Sequence, residues 1–403
     1  MPKGRVFLKF SSKIEKCGQS PMRKFAPYAD AAAARGLHIY RLNIGQPDIA
    51  TPKVYFDTLK NFSRPVLSYA PSTGLPEMLD AVVGYYASFG VSLERGDMLI
   101  TNGGSEALQM LLSCILDDGD EIVIPEPFYP NYATMVNLTG ASVHPLTTCP
   151  EENYHYADRA RVEACLTPRT RAIMITNPGN PTGAVLKPEE LKLMLDIAKE
   201  NDLYIICDEV YREFTYNGEP LLSALQYEGF EENVIVIDSV SKRFSACGAR
   251  IGMLISRNRA LIAHALKWCQ ARLSSTMADQ LASAALYSVG PEYFDAMRKE
   301  YRLRRDTLLR KLREIPGVVC AEPKGAFYVM AALPVDDAEK FQHWLLTEFE
   351  DRGETLMFAC GGPFYATPGR GLNEVRMAYV LEAPQLERAM ELLAIAIERY
   401  NKR

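Results

Sequence analysis

Residues 237–252 read IDSVSKRFSACGARIG. The apolar run NVIVI, which ends at Ile237, has the length and β-branched content of a buried strand. Ser239, Ser241 and Lys242 therefore fall at its carboxyl end, and a second apolar run, ARIGMLIS, follows soon after. A lysine among serines is ordinarily a solvated surface residue, and one short motif carries little weight. Its meaning depends on what the other strand ends hold.

Working outward, the strand-length runs in DMLITNGG, DEIVIPEP, RAIMITNP, LYIICDEVY, NVIVIDSVSK and ARIGMLIS alternate for the most part with helical patterns. In SEALQMLLSCILDDGD, Ala107, Leu108, Leu111, Leu112 and Ile115 recur at the three-and-four spacing of one buried face. Strands alternating with helices predict an α/β fold whose mostly parallel central sheet is sandwiched by helices. From about residue 295 the character changes. A charged helix, EYFDAMRKEYRLRRDTLLRKLREI, leads into GAFYVMAALP, NEVRMAYVLE and the helical tail QLERAMELLAIAIERYNKR. The expected organisation is a large domain over residues 50–294 and a smaller α+β domain in which residues 1–49 join 295–403.

At 403 residues the chain exceeds one ordinary core and has ample material to bury an active site. Its 48% hydrophobic and 24% charged content is that of a soluble globular enzyme. A net charge of −5 gives no electrostatic footprint for nucleic acid. The apolar runs are strand-sized and soon broken by charge, so no membrane span is expected. The basic start MPKGRVFLKFSSK lacks the apolar core and cleavage site of a signal peptide, which points to a cytoplasmic protein. The nine cysteines lack the paired spacing of a zinc site, and their odd number argues against a full disulfide framework. No metal is expected, and Cys207, Cys247 and Cys360 read as small buried thiols.

Ligands of an open parallel sheet bind beyond the carboxyl ends of its strands. After RAIMIT comes NPGNPTG, whose Asn-Pro pairs and glycines make a rigid irregular loop presenting Asn177 and Asn180. After LYIIC, Asp208 stands at the strand end with Tyr211 just beyond it. After DMLIT, Gly103, Gly104 and Ser105 open the helix described above. Free N–H groups at such a helix start make an anion site, to which Arg250 and the Ser239 hydroxyl would add charge and donors. Taken alone, the glycine motif reads as an ordinary turn and N-cap. Together the four loops ask for one ligand with a phosphate, a group for an amine, a group for a carboxylate, and an oxygen for a phenol and an amide. Pyridoxal phosphate has this set: it forms a Schiff base with a lysine and needs a carboxylate at its ring nitrogen.

The motifs LNIGQPDIATP, SYAPSTGLPEM, TNGGSEAL, EPFYPNY, NPGNPTG, DEVY, SVSKRFSACGAR and NEVRMAY, in that order, resemble those of the fold-type-I pyridoxal phosphate enzymes. Within that group the likeness is to class I/II aminotransferases of the aspartate aminotransferase superfamily, and it covers most of the chain. By this resemblance Lys242 matches the Schiff-base lysine, which also shuttles a proton between the substrate Cα and the cofactor. Asp208 matches the partner of the pyridine nitrogen, and Tyr211 and Asn180 match the residues bonding the phenolic oxygen. Ser239, Arg250 and the Gly104–Ser105 backbone match the phosphate cup, and Tyr129 the ring stacked on the pyridine. Arg376 matches the arginine that clamps the substrate α-carboxylate. Gly45 matches a backbone position lining the substrate pocket, and Tyr69 a tyrosine that reaches the neighbouring subunit's phosphate, which implies a homodimer.

The implied activity is transfer of the amino group of an L-amino acid, with aspartate first by family frequency, to a 2-oxo acid such as 2-oxoglutarate in a ping-pong cycle. A β-lyase acting on cysteine-type substrates would use the same Lys242, Asp208 and Arg376. A ligand-sensing regulator would need a helix-turn-helix that residues 1–45 do not provide. Three features depart from the family pattern: Arg243 after the lysine, Glu106 in the phosphate turn, and the segment ACGGPFYATPGRG ahead of the carboxylate arginine.

Overall fold

Alternate residues of the central strands go to opposite faces, and here both faces are apolar. Ile173, Ile175, Ile205 and Val236 join one buried cluster, while Met174, Ile206, Ile235 and Ile237 join another. The computed structural model describes residues 8–18, 20–216, 218 and 221–403. After β1 (His38–Arg41) come β2 (Met98–Thr101), β3 (Glu121–Glu126), β4 (Ser142–Thr147), β5 (Thr170–Thr176), β6 (Tyr204–Asp208), β7 (Val234–Ser239) and β8 (Gly252–Ile255). Strands β2 to β8 form one sheet in the order β2-β8-β7-β6-β5-β3-β4, parallel except for β8. Helices Pro188–Glu200 and Met277–Leu286 cover the first face, and Gly104–Ile115 and Arg259–Arg272 the second. Each fully buried aliphatic side chain contributes about 1.5–3 kcal/mol relative to exposure. The expected α/β sandwich is therefore present. The strand β4 is an addition to it: Pro145 masks it in the sequence and is tolerated because β4 lies at the sheet edge.

Beyond it lie β9 (Val319–Cys320), β10 (Tyr328–Ala332), β11 (Glu354–Met357), β12 (Ala359–Cys360) and β13 (Glu374–Ala378). Four of these make an antiparallel sheet, β12-β13-β10-β9, while β11 pairs in parallel with β1. Their core, including Phe327, Val329, Leu345, Met377 and Leu393, packs under helices Pro291–Arg313, Ala338–Thr347 and Ala383–Asn401. Tyr211 and Phe214, just beyond β6, belong to this same cluster, so the end of the large sheet abuts the smaller one. No helix among the described residues is long and apolar enough to cross a membrane.

Candidate active site

The single reversed strand builds one corner of the site. Because β8 runs against β2 and β7, its first residue lies at the carboxyl edge, and Gly252 pairs with both Thr101 and Ser239. A Cβ on Gly252 would stand 2.4 Å from the Gly103 carbonyl carbon and from the Gly104 nitrogen, so only glycine lets the turn after β2 lie here. Gly103 takes φ +83° as N-cap of the helix Gly104–Ile115. The Arg250 guanidinium donates to Asn102 O at 3.4 Å and to Cys247 O at 3.0 Å. The glycine turn, the helix start and Arg250 thus converge at one corner, where N–H groups and a guanidinium are of the kind that suits an anion. The Ser239 hydroxyl is within 2.9 Å of Ile251 O and 2.8 Å of Ser241 Oγ and accepts from Ser241 N at 3.0 Å, which caps the short helix Val240–Arg243. Ser105 is exposed on the first turn of its own helix.

At the end of β6, Asp208 is buried, and no cation among the described residues is bonded to it. Tyr132 Oη donates to its Oδ2 at 2.6 Å and Val210 N to its Oδ1 at 3.2 Å. Burial raises the carboxyl to about 6, against the opposing pull of those two donors. Lys242 Nζ donates to Gly45 O at 2.8 Å and lies 3.9 Å from Cys247 Sγ. The space beside Gly45 is filled by Tyr328, whose hydroxyl would overlap any Cβ there. That hydroxyl lies 2.9 Å from the Tyr211 hydroxyl and 3.4 Å from Gly45 O.

Arg376, on β13, is 2% exposed, yet no carboxylate pairs with it among the described residues. Its guanidinium donates to Asn180 Oδ1 at 3.0 Å and to Asn43 O at 2.8 Å, stands 4.4 Å from the Tyr328 ring centroid and 5.2 Å from that of Phe364, and leaves Nε without a partner. A buried guanidinium held only by neutral groups keeps an unbalanced positive charge that an anion could neutralise. Asn180 is thereby distinguished from Asn177, whose Oδ1 is spent on Leu186 N at 3.0 Å within the loop. Tyr129 is half-buried near Lys242, and burial raises its phenol. Tyr69 stands apart from all of these and is 77% exposed.

A sequence profile of the family described as aminotransferase class I and II matches residues 38–370. The aspartate aminotransferase of Pyrococcus horikoshii is 30% identical over 368 residues, covering 89% of this chain and 91% of that one. A solved single mutant of Thermus thermophilus aspartate aminotransferase superposes with a TM-score of 0.88 at 28% identity, covering 97% of this chain and all of that one. An alanine aminotransferase from Pyrococcus furiosus superposes equally well, with a TM-score of 0.88, 28% identity and the same coverage. The chain belongs to the class I and II aminotransferases.

In this aminotransferase the three departures have local explanations. Glu106 turns back onto its own helix start, accepting from Asn102 N at 2.6 Å and Asn102 Nδ2 at 3.0 Å, with Arg272 at 3.7 Å to balance its charge. It therefore pins the glycine turn instead of opposing an anion there. Arg243 is fully buried against Asp238. The segment ahead of Arg376 is strapped to the large sheet: Phe128 N donates to Phe364 O at 2.8 Å, and Ala366 and Thr367 N donate to Glu126 Oε2 at 2.9 and 3.0 Å.

Two residues that touch the candidate site of this aminotransferase escape sequence reasoning. Tyr132 sits three residues after Tyr129 and Tyr328 sits beside Phe327 on β10, and a tyrosine in an apolar run reads as core. No local signal marks Tyr132, because Tyr129 precedes the helix Asn131–Thr139 and the three-residue spacing therefore sets no shared helical face. The expected burial of the three thiols holds for Cys207 and Cys360, whereas Cys247 is half-exposed, with its sulfur 3.9 Å from Lys242 Nζ.

Proposed function

We propose that this aminotransferase moves the amino group of an L-amino acid, aspartate first, to a 2-oxo acid such as 2-oxoglutarate in a ping-pong cycle, using pyridoxal phosphate. The observation that carries the proposal is the buried Arg376 guanidinium without an acid partner among the described residues, linked to the Lys242 amine through Tyr328 and the Gly45 carbonyl. The name of the Pyrococcus horikoshii relative supports aspartate as donor.

The residues present fit the cofactor. Asp208 is a buried acid lacking a cation, as a protonated ring nitrogen requires. The Gly104–Ser105 amides, Arg250 and Ser239 lie together at one edge of the sheet and suit a phosphate. Tyr211 and Asn180 would serve the phenolic oxygen, since Arg376 occupies Asn180 Oδ1 and leaves its amide NH₂ to donate. Tyr129 would cover the ring. When bound, pyridoxal phosphate supplies an electrophilic carbonyl carbon and a ring that takes up the electron pair of a breaking C–H bond.

Lys242 Nζ would hold the cofactor and, when free, would take the proton from the substrate Cα and deliver it to the cofactor's former carbonyl carbon, the shift that moves the amino group. The Asp208 carboxylate would hold the ring nitrogen and favour a proton on it. The Arg376 fork holds the α-carboxylate in two parallel hydrogen bonds and so fixes the Cα–H bond relative to Lys242. Gly45 contributes backbone to the substrate pocket, where a side chain would collide with Tyr328.

The reading extends to the whole chain. Residues 50–294 act as the cofactor-binding domain, and 1–49 with 295–403 as the smaller domain; the pairing of β1 with β11 supports that grouping. The active unit is a homodimer in which Tyr69 reaches the neighbouring phosphate, supported by a run of exposed apolar residues, Val66, Leu67 and Tyr69. The protein works in the cytoplasm, in keeping with nine free cysteines.

The test is an absorbance spectrum of the purified protein with pyridoxal phosphate, before and after L-aspartate and then other amino acids. Collapse of the visible band on adding the donor, and its return with 2-oxoglutarate, is the expected result. A persistent band with pyruvate and ammonia released from cysteine-type substrates would assign β-elimination instead. Lys242→Ala protein that stays yellow and active would sink the lysine assignment.

A further inference from the structure

Behind Lys242 lies an ion pair that the proposed chemistry does not use. Asp238, the penultimate residue of β7, and Arg243, directly after the lysine, are both fully buried and meet at 2.6 Å. The carboxylate has two further partners: Oδ1 accepts from Ser239 N at 2.7 Å, and Oδ2 from Tyr86 Oη at 3.0 Å. The guanidinium stands 4.1 Å from the Tyr85 ring centroid and donates to Tyr287 Oη at 3.2 Å. Tyr85 in turn bonds Glu213, which pairs with Arg298 at 3.0 Å.

Stability alone does not account for such a pair. Removing two charges from water costs about what their attraction returns, and apolar residues of similar volume often do as well. What apolar residues could not reproduce is the geometry. One carboxylate grips the amide at the start of the 239–242 turn and the guanidinium just after its end. The turn needs that grip, because a helix of four residues, Val240–Arg243, is far too short to hold its own shape.

We infer that Asp238 and Arg243 are positioning residues that bracket the 239–242 turn from behind and thereby aim Lys242 Nζ into the cleft. The inference rests on Lys242 as the residue that captures the cofactor. Three surroundings fix the bracket: the tyrosines of the helix Pro76–Ala87, Tyr287 beyond the helix Met277–Leu286, and Glu213 two residues after Tyr211. The lysine turn and the Tyr211 turn are thus anchored in one buried charge cluster.

The decisive measurement is the rate at which cofactor-free protein, mixed with pyridoxal phosphate, develops its visible band, together with kcat and KM for L-aspartate. The double variant Asp238→Asn with Arg243→Met removes both charges and keeps an acceptor for Ser239 N. It should melt within about 5 °C of the parent. Its capture rate and kcat should fall about tenfold or more while KM moves less than about threefold, because a displaced amine loses alignment and not affinity. Arg243→Lys, which retains the charge but not the planar fork, should fall between, and it decides the matter if the double variant does not fold. Arg388→Met breaks ion pairs to Asp351 and Glu354 far from the lysine and should lower the melting temperature without slowing capture. Capture at the parent rate in the double variant or in Arg243→Lys, or slowing as large in Arg388→Met, would overturn the positioning role. Parent protein that never captures the cofactor would overturn the function proposed above, and this role with it.

Discussion

Asp208 shows how a single residue can be costly and useful together. Buried without a cation, it has its carboxyl raised from 3.8 to about 6. The folded protein therefore keeps a proton that the unfolded chain releases near pH 4. Below that pH the residue is protonated in both states and costs nothing. As pH rises through 4 to 6 the folded state is penalised, and above 6 the penalty levels off at about 3 kcal/mol. Cofactor-free Asp208→Asn protein should accordingly be more stable than the parent at pH 7.5 and equal to it near pH 4, by thermal melts at both values. Equal stability at pH 7.5 would mean that the buried charge is already compensated. Lys242 and Asp208 are singled out in the sequence because each follows a strand-like apolar run, whereas Arg376 is singled out only by the resemblance of NEVRMAY to the family. Tyr132 and Tyr328 are not, because a hydroxyl on a buried ring leaves no mark in apolar periodicity.

Elements divide in the same way. The strands of the large sheet are plain from their doubly apolar runs, and the helix Gly104–Ile115 from its spacing. Strand β4 is hidden by its proline, and β1 and β11 by being short and partnered across more than three hundred residues of sequence, a pairing no local pattern encodes. The reversal of β8 is likewise invisible beforehand, yet it decides the anion corner. A methyl group at Gly252 would meet main-chain atoms of Gly103 and Gly104, which cannot rotate aside. Gly252→Ala should therefore weaken pyridoxal phosphate binding about tenfold or more, equivalent to about 1.4 kcal/mol, in a titration of cofactor-free protein. Binding within a factor of two of the parent would show that the turn yields.

For the whole molecule, the exposed Val66–Tyr69 run predicts self-association. Sedimentation should give a dimer at micromolar concentration, and Tyr69→Phe should leave that dimer intact while loosening the cofactor about tenfold, the worth of one hydrogen bond to a charged group. A monomer with full cofactor affinity would refute shared sites. The pairing of β1 with β11 has a mechanical meaning as well. On the proposed division, the chain crosses between the two bodies once near residue 50 and again near 295, with β1 paired to β11 in the smaller one. The segment ahead of Arg376 is a third tie, because Phe128 and Glu126 bind it to the large sheet, so carrying the arginine away from Lys242 would first mean breaking those hydrogen bonds.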